Sequence, residues 1–271
     1  MRRLTEQYLD TTGIMGLYYS RECPRWENAW AYVFNEVYIE NIYQKIFSVE
    51  KGDYVVDLGC SMGVFYFKVK HKNVDYVGIE AAQKNLDKFN SLLTDDDNVT
   101  LMNRMVNERK TGIIGIEENA FDDDKETEAE AISFEEILKL RDKKIDFLKF
   151  DIEGEEVGIL NNNNSYELFV NNVFKFSGEF HLIQCYDADG RRVYPLRYSN
   201  PDAIEVLEKL RNDKRVDLRI SSTGGVDITK RFWEDVKDGR LLAGTGVVSY
   251  EQVQSGFYNP CTEIIISGKI L

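Results

Sequence analysis

Three groups of polar residues stand directly after short apolar runs, at the spacing of a binding site. Asp57, Gly59, Ser61 and Gly63 follow Tyr54-Val55-Val56, and Glu80 follows Tyr76-Val77-Gly78-Ile79. Asp151 and Glu153 follow Phe147-Leu148-Lys149-Phe150, while Glu179 and His181 lie near the end of Phe174–Leu182. An acid about 20 residues beyond a glycine turn is placed to accept hydrogen bonds from both hydroxyls of a ribose. Asp151 and Glu153, two apart on an extended segment, face the same side. A carboxylate or imidazole there can take a proton from an alcohol.

The elements that position these residues follow from the apolar pattern. Tyr54–Glu80 reads as strand, glycine turn, helix (about Val64–Lys70) and second strand, a β-α-β unit whose strand tips lie side by side where open α/β sheets bind ligands. Ala81–Leu93 carries Leu86, Phe89, Leu92 and Leu93 at helical spacing, and Asn98–Val106 reads as a third strand. Glu117 through Glu130, with the acid run Asp122–Asp124, reads as irregular and solvated. Ser133–Leu140 is a short helix with Ser133 and Glu136 at capping-box spacing. Buried strands are expected at Asp146–Phe150, Phe174–Leu182, Arg215–Ser221 and Thr262–Lys269, with a helix at Pro201–Asn212. The sum is an α/β, Rossmann-like sheet of seven mostly parallel strands, the last antiparallel, with helices on both faces. Residues 1–50 form an N-terminal helical extension, and 51–271 form the main domain. In Arg25–Phe47 the residues Trp26, Trp30, Val33 and Val37 share one helical face, which serves either as packing or as a lid.

Two cofactors compete for the glycine turn. A nicotinamide dinucleotide wants G-x-G-x-x-G, so that backbone amides and a helix N-terminus meet a pyrophosphate. Here Ser61 stands where the middle glycine would be, and Asp57 precedes the turn. A carboxylate repels a pyrophosphate and attracts a sulfonium or an ammonium. The turn therefore favours S-adenosylmethionine, with a nicotinamide-dependent oxidoreductase as the alternative and a non-catalytic module of the same fold as a third reading. Asp57, Gly59, Ser61, Gly63, Glu80 and Asp151 are the expected cofactor contacts. Ser61 and Asp57 weaken the oxidoreductase reading.

Composition narrows the rest. The chain has 271 residues and a formal net charge of −13. Such a field disfavours nucleic-acid partners. The best basic cluster, Arg191-Arg192 with Arg197, serves equally as a contact for an anionic or sugar substrate or as a solvated loop. No apolar run approaches the roughly 20 residues that span a bilayer, and the N-terminus lacks a secretory apolar core. Cys23, Cys60, Cys185 and Cys261 are far apart and form no CxxC pair, which points to free thiols in a reducing cytoplasm. The two histidines, His71 and His181, have no cysteine at zinc spacing; His71, in Lys68–Lys72, is expected at the solvated end of a helix.

Asp57-Leu-Gly59-Cys-Ser61-Met-Gly63, Glu80 and Lys149-Phe-Asp151-Ile-Glu153-Gly154-Glu155-Glu156 together resemble the FkbM family of class I S-adenosylmethionine-dependent methyltransferases. The resemblance covers about Gly52 to Gly158, more weakly to His181, with Cys60 in place of the common alanine. It implies methyl transfer to a hydroxyl oxygen of a sugar, glycan or small hydroxylated product. Catalysis then rests on His181, Glu153 and Asp151 at the acceptor. Two arrangements serve. In one, His181 or Glu153 is the base and no metal is needed. In the other, Asp151 and Glu179, with or without Glu153, hold a divalent cation such as magnesium. The metal-free arrangement is the expected one, and with His181 as base activity would rise through about pH 6–7. Glu155 and Glu156 are expected only to charge a helix N-terminus.

Overall fold

A computed structural model describes residues 33–108, 112–117, 126–182, 201–222, 226–237 and 263–271. Its strands are β1 (Tyr54–Leu58), β2 (Asp75–Glu80), β3 (Val99–Val106), β4 (Ile113–Glu117), β5 (Glu126–Ile132), β6 (Ile145–Phe150), β7 (Val173–His181), β8 (Val216–Ser221) and β9 (Glu263–Ile270). They form one sheet in the order β4-β5-β3-β2-β1-β6-β7-β9-β8. Strands β3-β2-β1-β6-β7 run parallel, and β9 lies antiparallel between β7 and β8. That is the expected seven-stranded class I arrangement, with the last strand reversed.

The sheet has nine described strands rather than seven, because β5 adds parallel to β3 and β4 pairs antiparallel with β5. The expectation of an irregular stretch to Glu130 is therefore corrected. Glu126–Ile132 reads ETEAEAI, and its acids conceal a period of two in which Ala129 is buried while Glu128 and Glu130 are exposed. The acid run Asp122–Asp124 lies outside the described residues, as do Arg191, Arg192 and Arg197.

Among the described residues, seven α-helices accompany these strands: α1 (Val64–Val69), α2 (Gln83–Ser91), α3 (Phe134–Leu138), α4 (Glu155–Asn161), α5 (Asn163–Asn172), α6 (Pro201–Asn212) and α7 (Thr229–Lys237). The capping box expected at Ser133 and Glu136 is formed at the start of α3. Alternation along the strands sends side chains to two cores. Tyr54, Val56 and Leu58 pack with α3 to α7, and Val55 and Phe147 pack with α1 and α2. Full burial of each such side chain contributes roughly 1.5–3 kcal/mol. Asp57 and Lys149 have the parity of Val55 and Phe147, and they are register partners across β1 and β6. Two charges are thus carried into the second core side by side.

The described part of the N-terminal segment belongs to that second core. It is a π-helical turn, Phe34–Glu40, followed by a short 3-10 turn, Ile42–Gln44, and the two are separated by Asn41 at φ 56°. A continuous helix to Phe47 is thus corrected. Left-handed backbone at Asn41 breaks it and directs both Phe34/Val37 and Ile42/Tyr43 inward, against residues that include Phe65 and Ile265. Trp26 and Trp30 lie outside the described residues. His71 is exposed in a 3-10 turn after α1, as expected.

Candidate functional site

The glycine turn leaves β1 with φ of 73° at Gly59, 48° at Ser61 and 81° at Gly63. The amides of Gly59 and Cys60 donate to the Ile79 carbonyl at 2.9 and 3.1 Å, tying the turn to β2. A Cβ on Gly59 would stand 1.8 Å from the Asp151 carbonyl oxygen, and one on Gly63 would stand 2.4 Å from the Phe89 ring. Both glycines were expected to admit a cofactor. The structure requires them for the protein's own packing, since left-handed backbone and close approach each demand the missing side chain. At Gly59 the contact brings the tips of β1 and β6 together, and the Asp151 amide donates to the Leu58 carbonyl at 2.9 Å.

Glu80, at the tip of β2, accepts from the Ser61 amide at 2.9 Å through Oε2 and from the Ala82 amide at 3.0 Å through Oε1. Its half-buried carboxylate thus stands beside the turn. Burial pushes its carboxyl above the ordinary range, and the two amides counteract that. The Asn85 side chain bonds the same carboxylate, and the carboxylate's roughly four lone-pair sites leave capacity for a ribose hydroxyl.

Asp57 does not present a free carboxylate to a ligand. It is 0% exposed, Lys149 Nζ stands 3.0 Å from it, and the Tyr76 hydroxyl donates to it. Lys149 also donates to the Gly59 carbonyl at 2.8 Å, and its ammonium lies over the Tyr43 ring at 5.3 Å. Burial acts to lower the Lys149 pKa, yet the charges of Asp57 and Asp151 outweigh it and hold the amine protonated. The pair braces the turn from beneath, so the supposed attraction of Asp57 for a sulfonium is largely cancelled at its source.

The second pole forms where β6 and β7 end together. Register pairs Phe150 with Gly178, which sets Asp151 beside Glu179. Ligand atoms of Asp151, Glu179 and His181 lie within 4.8 Å of one another. Glu153 sits at φ 57°, an uncommon conformation for a side-chain-bearing residue, and its Oε2 is 3.7 Å from His181 Nε2. His181 Nδ1 lies 3.2 Å from Glu156 Oε1. Glu156 also accepts from the Ile152 and Gly154 amides at 2.7 and 2.9 Å, so it fixes the whole Asp151–Gly154 loop. Glu156 therefore does more than charge the start of α4.

Tyr43 joins the same pole from the N-terminal segment. Its buried hydroxyl stands 3.3 Å from Asp151 Oδ2 and 3.1 Å from Glu179 Oε1, donating between the two carboxylates. His181 is 3% exposed. Burial lowers its pKa, but Glu156, Glu153 and Asp151 together raise it well above the ordinary 6.5. The acids thus favour the imidazolium, the form that accepts no proton, which weighs against His181 as the base and against a rate limb at pH 6–7 from it.

Of the residues chosen from sequence, the structure brings Asp151, Glu153, Glu179 and His181 to one place and sets Gly59, Ser61, Gly63 and Glu80 around the adjoining turn. Tyr43, Lys149, Tyr76 and Glu156 were missed as site members. A charge inside the apolar run Ile145–Phe150 was the available signal for Lys149.

A profile described as "Methyltransferase FkbM domain" matches residues 63–213, over half of the chain. No curated protein sequence matches. Solved structures with a similar fold include a methyltransferase FkbM from Methylobacillus flagellatus, 17% identical with a TM-score of 0.42. That similarity covers 69% of this chain and 46% of the other, so this chain spans under half of that protein's length. A plantazolicin methyltransferase, BamL, solved with a triazolic substrate analogue and S-adenosylhomocysteine, is 11% identical over 97% of this chain and 92% of its own, with a TM-score of 0.45. An rRNA methylase from Streptococcus thermophilus is 9% identical over 88% and 94%, with a TM-score of 0.43. Likenesses this distant carry no argument about substrate.

Proposed function

Since the chain belongs to the FkbM methyltransferase family, we propose that it is an S-adenosylmethionine-dependent O-methyltransferase. Its acceptor would be a hydroxyl of a sugar, glycan or small hydroxylated product. The observation that supports this best is the convergence of Asp151, Glu179 and His181 beside the glycine turn. When bound, S-adenosylmethionine supplies an electrophilic methyl group on a sulfonium. Glu80 would take the ribose hydroxyls, and the turn at Gly59, Ser61 and Gly63 would line the rest, braced by Lys149 and Asp57. These residues fit the group: Glu80 offers a carboxylate at the strand tip with acceptor capacity left over.

At the other pole, Asp151, Glu153 and Glu179 are the groups able to take the acceptor's proton, and His181 serves as a charge that keeps them anionic. A neutral alcohol is a weak nucleophile, so orienting it and accepting its proton together lower the barrier. The acidic surplus of the chain, −13 overall, fits a small or glycan acceptor better than a nucleic acid. No helix among the described residues is long and apolar enough to cross a membrane. A reducing, cytoplasmic setting is part of the same proposal, as is a main domain at 51–271 following the segment 1–50.

Calorimetry with S-adenosylhomocysteine and with NAD, side by side, tests the cofactor. Binding of the first and not the second is expected. Glu80→Ala should weaken it by roughly 2–3 kcal/mol, the worth of a charge-assisted pair of hydrogen bonds. Tight NAD binding, or a Glu80→Ala protein with undiminished affinity, would overturn the assignment.

A further inference from the structure

Tyr43 reaches both poles of the site from the N-terminal segment. Lys149 Nζ stands 5.3 Å from the centroid of its ring. That amine donates to the Gly59 carbonyl at 2.8 Å and pairs with Asp57 at 3.0 Å, so the ring backs the glycine turn. At the other end of the same side chain, the hydroxyl stands 3.3 Å from Asp151 Oδ2 and 3.1 Å from Glu179 Oε1. The segment lies ahead of residues 63–213, the span that matches the family profile.

The chain fixes this side chain from several directions. Left-handed backbone at Asn41 turns Ile42 and Tyr43 inward, and the Gln44 backbone amide donates to the Asn41 carbonyl at 3.1 Å. The Gln44 side chain accepts from the Val49 amide at 3.2 Å and from Lys72 Nζ at 3.3 Å, which ties the turn to the body of the domain. Phe65 packs edge-to-face with the Tyr43 ring, centroids 5.9 Å apart. A phenylalanine would fill the same space against Phe65 and Lys149. What tyrosine adds is one donor, delivered between carboxylates from two neighbouring strands. Burial and those carboxylates push the phenol well above its ordinary range, so it stays a donor.

Asp151 and Glu179 are among the groups proposed above to take the acceptor's proton. A hydrogen bond from a fixed hydroxyl limits the rotation of a carboxylate, and a displacement of about 1 Å at a reacting group can cost about 10²-fold in rate. We propose that Tyr43 is a positioning residue for methyl transfer, its hydroxyl orienting Asp151 and Glu179 and its ring keeping Lys149 beneath the glycine turn. This role rests on the methyltransferase reading given above. Each half of one side chain serves one pole, so two substitutions separate them.

Tyr43→Phe and Tyr43→Leu are compared with Val37→Ala, which loosens the same buried segment without touching the hydroxyl. S-Adenosylhomocysteine affinity is read by calorimetry and stability by chemical denaturation. Mass spectrometry gives kcat and KM with S-adenosylmethionine and free or nucleotide-linked sugars. Tyr43→Phe should lower kcat about 10- to 100-fold while still binding S-adenosylhomocysteine. Tyr43→Leu, which also loses the cation–π contact, should bind S-adenosylhomocysteine about tenfold more weakly than Tyr43→Phe. Val37→Ala should cost stability and leave kcat near that of the parent. A Tyr43→Phe protein as fast as the parent, or no slower than Val37→Ala, overturns the proposal. So does a Tyr43→Leu protein that binds S-adenosylhomocysteine as tightly as Tyr43→Phe, a result that needs no acceptor. A parent that binds no S-adenosylhomocysteine faults the methyltransferase reading itself, and the role of Tyr43 falls with it.

Discussion

The two poles of the site are built from the same parts and employ them differently. Around the glycine turn the carboxylates serve the protein's own structure: Asp57 is held by Lys149 and Tyr76, and Glu80 takes the amides of Ser61 and Ala82. At the tips of β6 and β7, Asp151, Glu153, Glu156 and Glu179 gather around His181 and the Tyr43 hydroxyl. A paired buried network is rigid and specifies one geometry. Carboxylates gathered at a sheet edge are groups that can accept a proton. The turn is thus scaffold as much as candidate contact surface, and the proposed proton acceptors stand at the other pole.

The sharpest way to break that contrast is to remove the counter-ion beneath the turn. Lys149→Met would leave Asp57 buried and unpaired, and the loss of one partner of a buried pair typically costs about 3–5 kcal/mol. Chemical denaturation should show that loss, and the double variant Asp57→Asn/Lys149→Met should recover much of it. A single variant as stable as the parent would mean that the pair does not brace the turn.

Gly59→Ala comes next. Its new Cβ would meet backbone at 1.8 Å with φ at 73°, and neither can yield cheaply. A loss of about 3 kcal/mol in unfolding free energy is expected, combining overpacking with left-handed strain. Were Gly59 only a cofactor contact, the substitution would spare the fold and remove binding alone. A fully stable variant with impaired cofactor binding would restore the simpler view.

The smallest expected effect lies behind the turn, at Asp97. Burial raises its carboxyl, but bonds from Tyr66, Lys70 and Thr94 outweigh it and hold the pKa at about 2, below the ordinary 3.8. A depressed acid stabilises the fold above its ordinary pKa and loses that contribution as pH falls toward the folded value. The stabilisation, about 1–2 kcal/mol, should therefore disappear between roughly pH 4 and pH 2. Stability measured through that window should be flatter in Asp97→Asn than in the parent. Equal slopes would show that Asp97 carries no such load.

Much of this fold was legible because apolar runs and glycines mark a parallel sheet locally. β1, β2, β6 and the turn fall where the pattern puts them. What escaped depended on distant pairing or on ambiguous periodicity. β5 was hidden by the acids of ETEAEAI, and the break at Asn41 by a helical run of aromatics on both sides. Lys149 and Asp57 become partners only once β1 and β6 pair, and nothing near either residue announces it. The same holds for Tyr43, whose aromatic ring reads as packing and whose hydroxyl reaches Asp151 and Glu179 only in the folded chain. His181 was found by position, yet the rise in its pKa follows from three acids that fold around it.

Methyl transfer itself is the most direct test. Full-length protein and its Asp151→Asn variant should be given S-adenosylmethionine and a panel of free and nucleotide-linked sugars, with products read by mass spectrometry. The predicted result is a singly methylated product with the methyl on a hydroxyl oxygen. The variant should show kcat lowered about 10²–10⁴-fold while still binding S-adenosylhomocysteine. A methyl group found on nitrogen or carbon, or an Asp151→Asn protein as fast as its parent, would contradict it.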